Sequence, residues 1–201
     1  MKLFDRLKFY LQKSVTFVSP MDFFVSRIFV KIRNKVLNHF FRIISILGDW
    51  WCWTVFSLII LFFNTRLGIL IIVSQTFQVA LQRLVKLTFL RKRPYIKHRL
   101  TISRLIVPPD KFSFPSGHTA GAFVIFFCIN SYLPSISWIF LILAILVGIS
   151  RIYLGVHYFT DVLFGILLGF IAFEIGKIVV DYISNFLKIN YFSTILDLKL
   201  P

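Results

Sequence analysis

The stretch DKFSFPSGHTAGAF, residues 110–123, decides how this chain is read. A charged pair and a proline lead into Ser116, Gly117 and His118, and a long apolar run follows. Taken alone, the stretch has a bland reading: Ser116, after Pro115, caps a helix, and His118 is a polar residue in its first turn. An ionisable group at the mouth of a membrane-grade apolar segment is nevertheless costly and is a functional candidate by default. What the rest of the chain brings to His118 settles the choice.

Composition points to a membrane. The 201 residues suit one domain, but 58% of them are hydrophobic, 25 are Phe, and the mean hydropathy is +0.82. That is too apolar for an ordinary soluble domain. The formal charge is +15, from 23 Lys and Arg against 8 Asp and Glu. These bases sit between apolar runs instead of along one soluble basic face, which favours a membrane protein over a nucleic-acid binder. Cys52 and Cys128 lie inside apolar runs and read as unpaired packing residues. The N-terminal MKLFDRLKFYLQKSVTFVSP lacks the apolar core and small-residue cleavage site of a signal peptide, so the chain is expected to stay uncleaved.

From Asp22 to Ser45 polar residues recur at helical spacing: Asp22, Ser26, Arg27, Lys31, Asn34, Lys35, Asn38, Arg42 and Ser45. With Phe and Ile on the other face, residues 1–48 are expected to form a basic, amphipathic interfacial segment, or to pack their apolar face on the bundle. Residues 50–65 and 67–82 carry no charge and are separated by Arg66. Each is slightly short of the ~20 residues of a span, and with their flanks they read as an antiparallel pair turning near Asn64–Gly68. Trp50, Trp51 and Trp53 fit an interfacial aromatic belt. Residues 85–115 form a basic loop. Residues 112–150 carry no Asp, Glu, Lys or Arg and suffice for two spans turning near Pro134. A last helix is expected from about Tyr158 to Leu187, with Glu174, Lys177 and Asp181 on one face, able to pair. The expected fold is all-α: an integral-membrane bundle of about five transmembrane helices over 49–190, after the interfacial helix and before a short tail, 191–201.

Span parity places three polar clusters on one side of the membrane. They are KLTFLRKRP (Lys86 to Pro94), PSGH (Pro115 to His118) and SRIYLGVHYFTD (Ser150 to Asp161). Lys86, Arg93 and Arg151 supply cations, and Ser116 and Gly117 supply donors at a helix start. Such a set makes an anion site, because Arg matches phosphate geometry and helix N-termini favour anions. His157 and Asp161, four apart, share a face. The carboxylate can hold one imidazole nitrogen as N–H and leave the other as nucleophile. His118 can protonate a leaving oxygen. The set suits phosphoryl transfer through a phosphohistidine. No carboxylate cluster offers itself to Mg²⁺, so no metal or other cofactor is expected.

At these residues the sequence resembles the type 2 phosphatidic acid phosphatase superfamily. Lys86 with Arg93–Pro94, Pro115–Ser116–Gly117–His118, and Ser150–Arg151 with His157 and Asp161 match that family's three motifs in order and spacing. The resemblance covers about residues 48–170. It implies His157 as nucleophile, Asp161 as its orienting partner and His118 as general acid, with Lys86, Arg93, Ser116, Gly117 and Arg151 holding phosphate. Many bacterial members have six spans, and here a basic amphipathic segment stands where the first would be. His39 and His98 match no motif and read as solvated. Arg91, Lys92, Lys97 and Arg99 read as head-group attractors or markers of the cytoplasmic side. Tyr153 and Tyr158 read as packing residues beside the site.

The motif side also carries most of the 23 Lys and Arg. By the positive-inside rule the active site of this multi-pass cell-membrane protein then faces the cytoplasm; the resemblance implies the outer face. The expected substrate is a phosphate on a lipid, because the reacting groups sit at head-group depth: a polyprenyl phosphate or diphosphate, phosphatidate, phosphatidylglycerophosphate or a lipid A-type glycolipid. Membrane lipids are the only other partners expected, and the sequence sets no oligomeric state. Three alternatives stay open: transfer of the phosphoryl group to a second lipid, a non-enzymatic scaffold binding anionic lipids, and a vanadate-dependent haloperoxidase, whose known members are soluble.

Overall fold

In the computed structural model residues 19–197 are described, with side chains through Phe186. Its elements are all helices, joined by loops of which the longest covers 98–116, with one isolated antiparallel bridge between Lys92 and Phe112. The expectations for residues 1–18 and 198–201 lie outside it.

The N-terminal segment is two helices, not one. Helix α1 (Pro20–Lys31) starts where the Ser19 hydroxyl accepts from the Asp22 N–H and Pro20 takes a first-turn position, where it wastes no donor. Helix α2 (Lys35–Ile46) restarts with the Asn34 side chain accepting from the Leu37 N–H. The two helices split the amphipathic pattern between them, and both pack on the bundle. The face that looked solvated is partly inside: Asp22, Ser26 and Ser45 are buried.

Helix α3 (Trp50–Phe63) follows α2 at a bend of 52°, and together the two are apolar and long enough to count as one span. Asn64 separates α3 from α4 (Thr65–Phe89) and caps α4 through the Leu67 N–H, so the expected tight turn is a single residue. After a one-turn helix α5 (Pro94–Lys97), the chain reaches α6 (Gly117–Tyr132), α7 (Pro134–Tyr153) and α8 (Phe159–Asp197). The last helix therefore runs on where a tail was expected. Helices α4, α7 and the Phe159–Phe186 part of α8 are each long and apolar enough to cross a membrane; with the bent pair that makes four. The fifth expected span corresponds to α6, whose 16 residues fall short of the ~20 usually needed.

Helix α6 is central. It packs on α3, α4, α7 and α8, and every residue from Thr119 to Ile125 is buried. A core of Leu67, Leu70, Ile71, Val124, Ile125, Ile129, Ala172 and Phe173 joins α4, α6 and α8. Close approach of α8 to α6 depends on Gly165 and Gly169, one turn apart. A Cβ added at Gly165 would lie 2.8 Å from the Ser116 carbonyl oxygen, and one at Gly169 would lie 2.7 Å from that of Ala120. Small residues four apart let membrane helices touch backbone to backbone. This contact sets the N-terminus of α6 against the start of α8, where the Ser116 N–H donates to the Asp161 carbonyl at 3.0 Å. At the far end Arg66 pairs with Asp181 at 2.7 Å, so Asp181 reaches across to α4 instead of pairing along its own helix.

Gly169→Val should force the two helices apart at a backbone atom that cannot yield. Overpacking of this kind costs about 1–3 kcal/mol, and the unfolding midpoint of the detergent-purified protein, followed by tryptophan fluorescence, should fall. An unchanged midpoint would show that the close approach is not needed.

Candidate active site

The site forms where α4 ends and α6 and α8 begin. Leu90 closes α4 in the left-handed region (φ 51°), with its N–H donating to the Lys86 carbonyl. The chain then runs antiparallel to residues 112–113, and the Ser113 N–H donates to the Arg91 carbonyl at 2.8 Å. On the other side α7 ends in a turn whose Gly155 has φ 76°. The Arg151 carbonyl accepts from both the Val156 and His157 N–H groups, at 3.3 and 3.2 Å. These backbone bonds fix the five-residue gap between Arg151 and His157 and turn both side chains into the same end of the bundle.

His157 is buried, and its Nε2 lies 3.1 Å from Arg93 Nη1. A guanidinium can only donate, so Nε2 presents its lone pair, and the proton of the neutral ring belongs on Nδ1. Nδ1 points to Asp161 Oδ2 at 3.6 Å, beyond hydrogen-bond length, and has no other partner. The expected His157–Asp161 pair is thus oriented but not closed. Asp161 is held by others: the Tyr158 N–H donates to Oδ2 at 2.8 Å and Arg91 to Oδ1 at 2.5 Å. Burial keeps the His157 imidazole well below its ordinary pKa, and Arg93, Arg151, Lys86 and His118 push the same way.

Arg93 donates to the carbonyls of Val156 and Asp110, both at 2.9 Å, and to Asp110 Oδ1 at 3.0 Å. Lys86 reaches Asp110 Oδ2 at 2.7 Å. Burial raises the Asp110 carboxyl, but Lys86 and Arg93 outweigh it and hold the group below its usual range. Arg151 is buried and donates to Ser45 Oγ, while its Nε has no partner. His118 Nε2 lies 2.8 Å from Asp49 Oδ1; a carboxylate only accepts, so Nε2 carries the proton. Ser116 occupies the N-cap position, yet its hydroxyl meets Thr119 Oγ1 at 2.8 Å instead of capping. Since its N–H is bound by Asp161, Ser116 offers an anion less than expected. Gly117 and His118 bring first-turn N–H groups that have no acceptor within their helix. A Cβ at Gly117 would lie 2.3 Å from Gln82 Nε2, so the Gln82 side chain would have to move aside.

The eight residues singled out by sequence therefore converge, with Lys86, Arg93, Arg151 and His118 all close enough to His157 to depress its protonation. Four further residues belong to the same end. Asp110 and Asp49 occupy the donors of Lys86, Arg93 and His118; Arg91 holds Asp161, and Asp22 holds the other side of Arg91. Arg91 is not a solvated base but is buried between Asp22 and Asp161, over the Tyr158 ring at 4.5 Å. His98 likewise packs on Phe23 with its Nε2 buried, rather than standing in water. Tyr153 and Tyr158 are core residues, as expected. The only sequence signal for Asp49 and Asp110 was a lone carboxylate beside a motif in a chain with 8 acids. Among the described residues no three His, Cys, Asp or Glu side chains converge as metal ligands.

Known proteins resemble this chain in sequence and in fold. The chain is 33% identical over 110 residues to the undecaprenyl-diphosphatase BcrC of Bacillus subtilis (53% of this chain, 56% of BcrC). It is 43% identical over 83 residues to phosphatidylglycerophosphatase B of the same organism (36% and 41%). It thus spans about half the length, or less, of these two curated relatives. Two crystal structures superimpose with TM-scores of 0.71. LpxE of Aquifex aeolicus is 29% identical, with 79% of this chain and 96% of that one covered. The phosphatidylglycerolphosphate phosphatase of Bacillus subtilis is 30% identical, with 88% and 94% covered. The sequence model of the PAP2 superfamily matches residues 65–184, more than half of the chain and all three motifs, and the chain belongs to that superfamily.

Proposed function

We propose that this protein is a membrane phosphatase that hydrolyses a lipid phosphate or diphosphate through a phosphohistidine on His157. The observation that carries the reading is the His157 ring: its Nε2 lone pair faces Arg93 while its Nδ1 side faces Asp161. A nucleophile with this tautomer, at the centre of a cationic cradle, is suited to attack phosphorus.

In the first step Nε2 attacks phosphorus and the bond to the lipid oxygen breaks. His118, entering as the imidazolium with its Nε2–H held by Asp49, a form the anionic substrate favours and burial opposes, gives its Nδ1 proton to that oxygen, and the neutral lipid alcohol (or the lipid monophosphate, from a diphosphate) leaves. Positive charge appears on the phosphorylated imidazole, and Asp161 offsets it. In the second step water attacks the phosphohistidine and gives a proton to His118. The nitrogen–phosphorus bond breaks, so inorganic phosphate leaves with both histidines restored. Lys86, Arg93, Arg151 and the Gly117 N–H neutralise the phosphoryl oxygens throughout. The apolar helices and the exposed Trp50 and Trp51 at this end support a lipid as the leaving group. The names of the relatives make undecaprenyl diphosphate and phosphatidylglycerophosphate the first two substrates to try. The Lys and Arg excess on the site's side supports a cytoplasmic location.

Detergent-purified protein with EDTA should release phosphate from at least one of polyprenyl diphosphate, phosphatidate and phosphatidylglycerophosphate. His157→Ala and His118→Ala should each stop release while still inserting and folding. Wild-type release from either variant would end this mechanism; a labelled acceptor lipid with no free phosphate would indicate transfer instead.

Because the imidazole is depressed, His157 is unprotonated well into acid. The acidic limb of kcat/KM against pH should therefore lie below the ordinary histidine value of about 6.5. A limb at or above that value would contradict the site's electrostatics. Asp110 sits on the cations that would receive phosphate. Asp110→Asn removes its charge yet can still accept from Arg93 and the Phe112 N–H. Orthophosphate and vanadate should then inhibit at about tenfold lower concentration, the scale of one freed charge contact. Weaker inhibition would mean that Asp110 builds the cradle rather than competing for it.

A further inference from the structure

Helix α1 lies outside the residues matched to the superfamily, yet it ends up against the reacting groups. Arg91 Nη2 pairs with Asp22 Oδ2 at 2.6 Å and Nη1 pairs with Asp161 Oδ1 at 2.5 Å. The three side chains are 3%, 1% and 0% exposed. Thr160 closes the group. Its N–H donates to Asp22 Oδ1 at 2.9 Å, and its hydroxyl lies 2.8 Å from both Asp22 Oδ2 and Arg91 Nη1. One guanidinium thus spans two carboxylates, one from α1 and one from α8. Folding buries two negative charges and one positive charge beside His157. Isolated charges are too costly to bury without such pairing, and a surface-seeking interfacial helix would have no reason to bring an aspartate here.

We propose that Asp22 and Arg91 are positioning residues of the reaction, through which the docked helix α1 orients Asp161 and sets the charge that His157 feels. This rests on the phosphohistidine reading given above. Arg91 fixes Asp161 Oδ1, and with the Tyr158 N–H on Oδ2 the carboxylate is aimed at Nδ1 of His157. Asp22 takes the other half of the fork. Without it the group beside His157 would be neutral instead of carrying one net negative charge. The cations facing His157 are Arg93, Arg151 and Lys86, with His118 when it is protonated, all unfavourable to a positive imidazole; Asp110 answers Lys86 and Arg93 from the loop side. The negative group from α1 opposes them when charge develops on the ring.

The sign of the test follows. Asp22→Asn keeps the shape and an acceptor for the Thr160 N–H but removes the charge. Positive charge on His157 is then harder to form. The kcat for lipid phosphate should fall on the order of 10- to 100-fold, as when outer support of a reacting group is lost, with KM nearly unchanged. The titration midpoint of His157, followed by nitrogen-15 histidine NMR and assigned by its loss in His157→Gln, should drop by a few tenths to about one unit. Arg91→Lys keeps the charge but cannot span two carboxylates; it should lower kcat as well and decides the matter if Asp22→Asn does not fold. Asp181→Asn, which removes a carboxylate at the far end, should change neither readout. Wild-type kcat and midpoint in Asp22→Asn, or wild-type kcat in Arg91→Lys where the first does not fold, would overturn the inference. A wild-type protein that releases no phosphate from any lipid would defeat the phosphatase reading instead, and the NMR midpoint would still decide this one.

Discussion

Burial of positive charge governs the end of this bundle where the three motifs meet. Arg93, Arg151 and Arg91 are all inside the protein, and Lys86 nearly so. Buried cations need partners, and each is answered in a different way. Arg91 has two permanent carboxylates. Lys86 and Arg93 share Asp110, whose side chain is 36% exposed. His118 rests on Asp49, 34% exposed. Among the described residues Arg151 has only a hydroxyl, and its Nε is left without a partner. The fully enclosed carboxylates hold the framework, while the two half-exposed ones sit where an incoming phosphate would need the same donors.

That division links stability to chemistry. A cradle of unanswered cations would repel itself, and a cradle closed by buried carboxylates would refuse an anion. Partly exposed acids offer the intermediate case, because a carboxylate that can reach water costs little to displace compared with one that cannot. The backbone does the rest. The Gly165–Gly169 face brings α8 onto α6, and the Arg151 carbonyl pins His157, so the reacting groups sit on rigid helix ends rather than in a free loop.

Much of this was legible in the chain. The uncharged runs marked α3, α4, α6 and α7, an apolar stretch with its few charges on one face marked α8, and Asn64 and Pro134 marked the turns. The motif spacing converges as expected because a helix end and a tight turn both have fixed reach. Less was legible in residues 20–46, where period alone could not separate a helix lying on a membrane from one docked on protein. The burial of Asp22 follows from a partner, Arg91, that lies 69 residues away, and Arg33, in the break at 32–34, donates to the carbonyls of Ser103 and Tyr153. His98 reads as solvated and Arg91 as a head-group attractor for the same reason: a base in a basic loop looks exposed until the loop is folded.

The sequence by itself determined that this is a helical membrane protein and that the residues of its three motifs share one end, because hydropathy, charge and short-range spacing are local properties. Only the tertiary structure decided which acid answers which base. It placed Asp110 on Lys86 and Arg93, Asp49 on His118 and Asp22 on Arg91, and left His157 facing Asp161 without closing the bond. Those pairings depend on which helix ends meet in space, and electrostatic partnership in a low-dielectric interior is set by distances of a few ångströms that no linear spacing encodes.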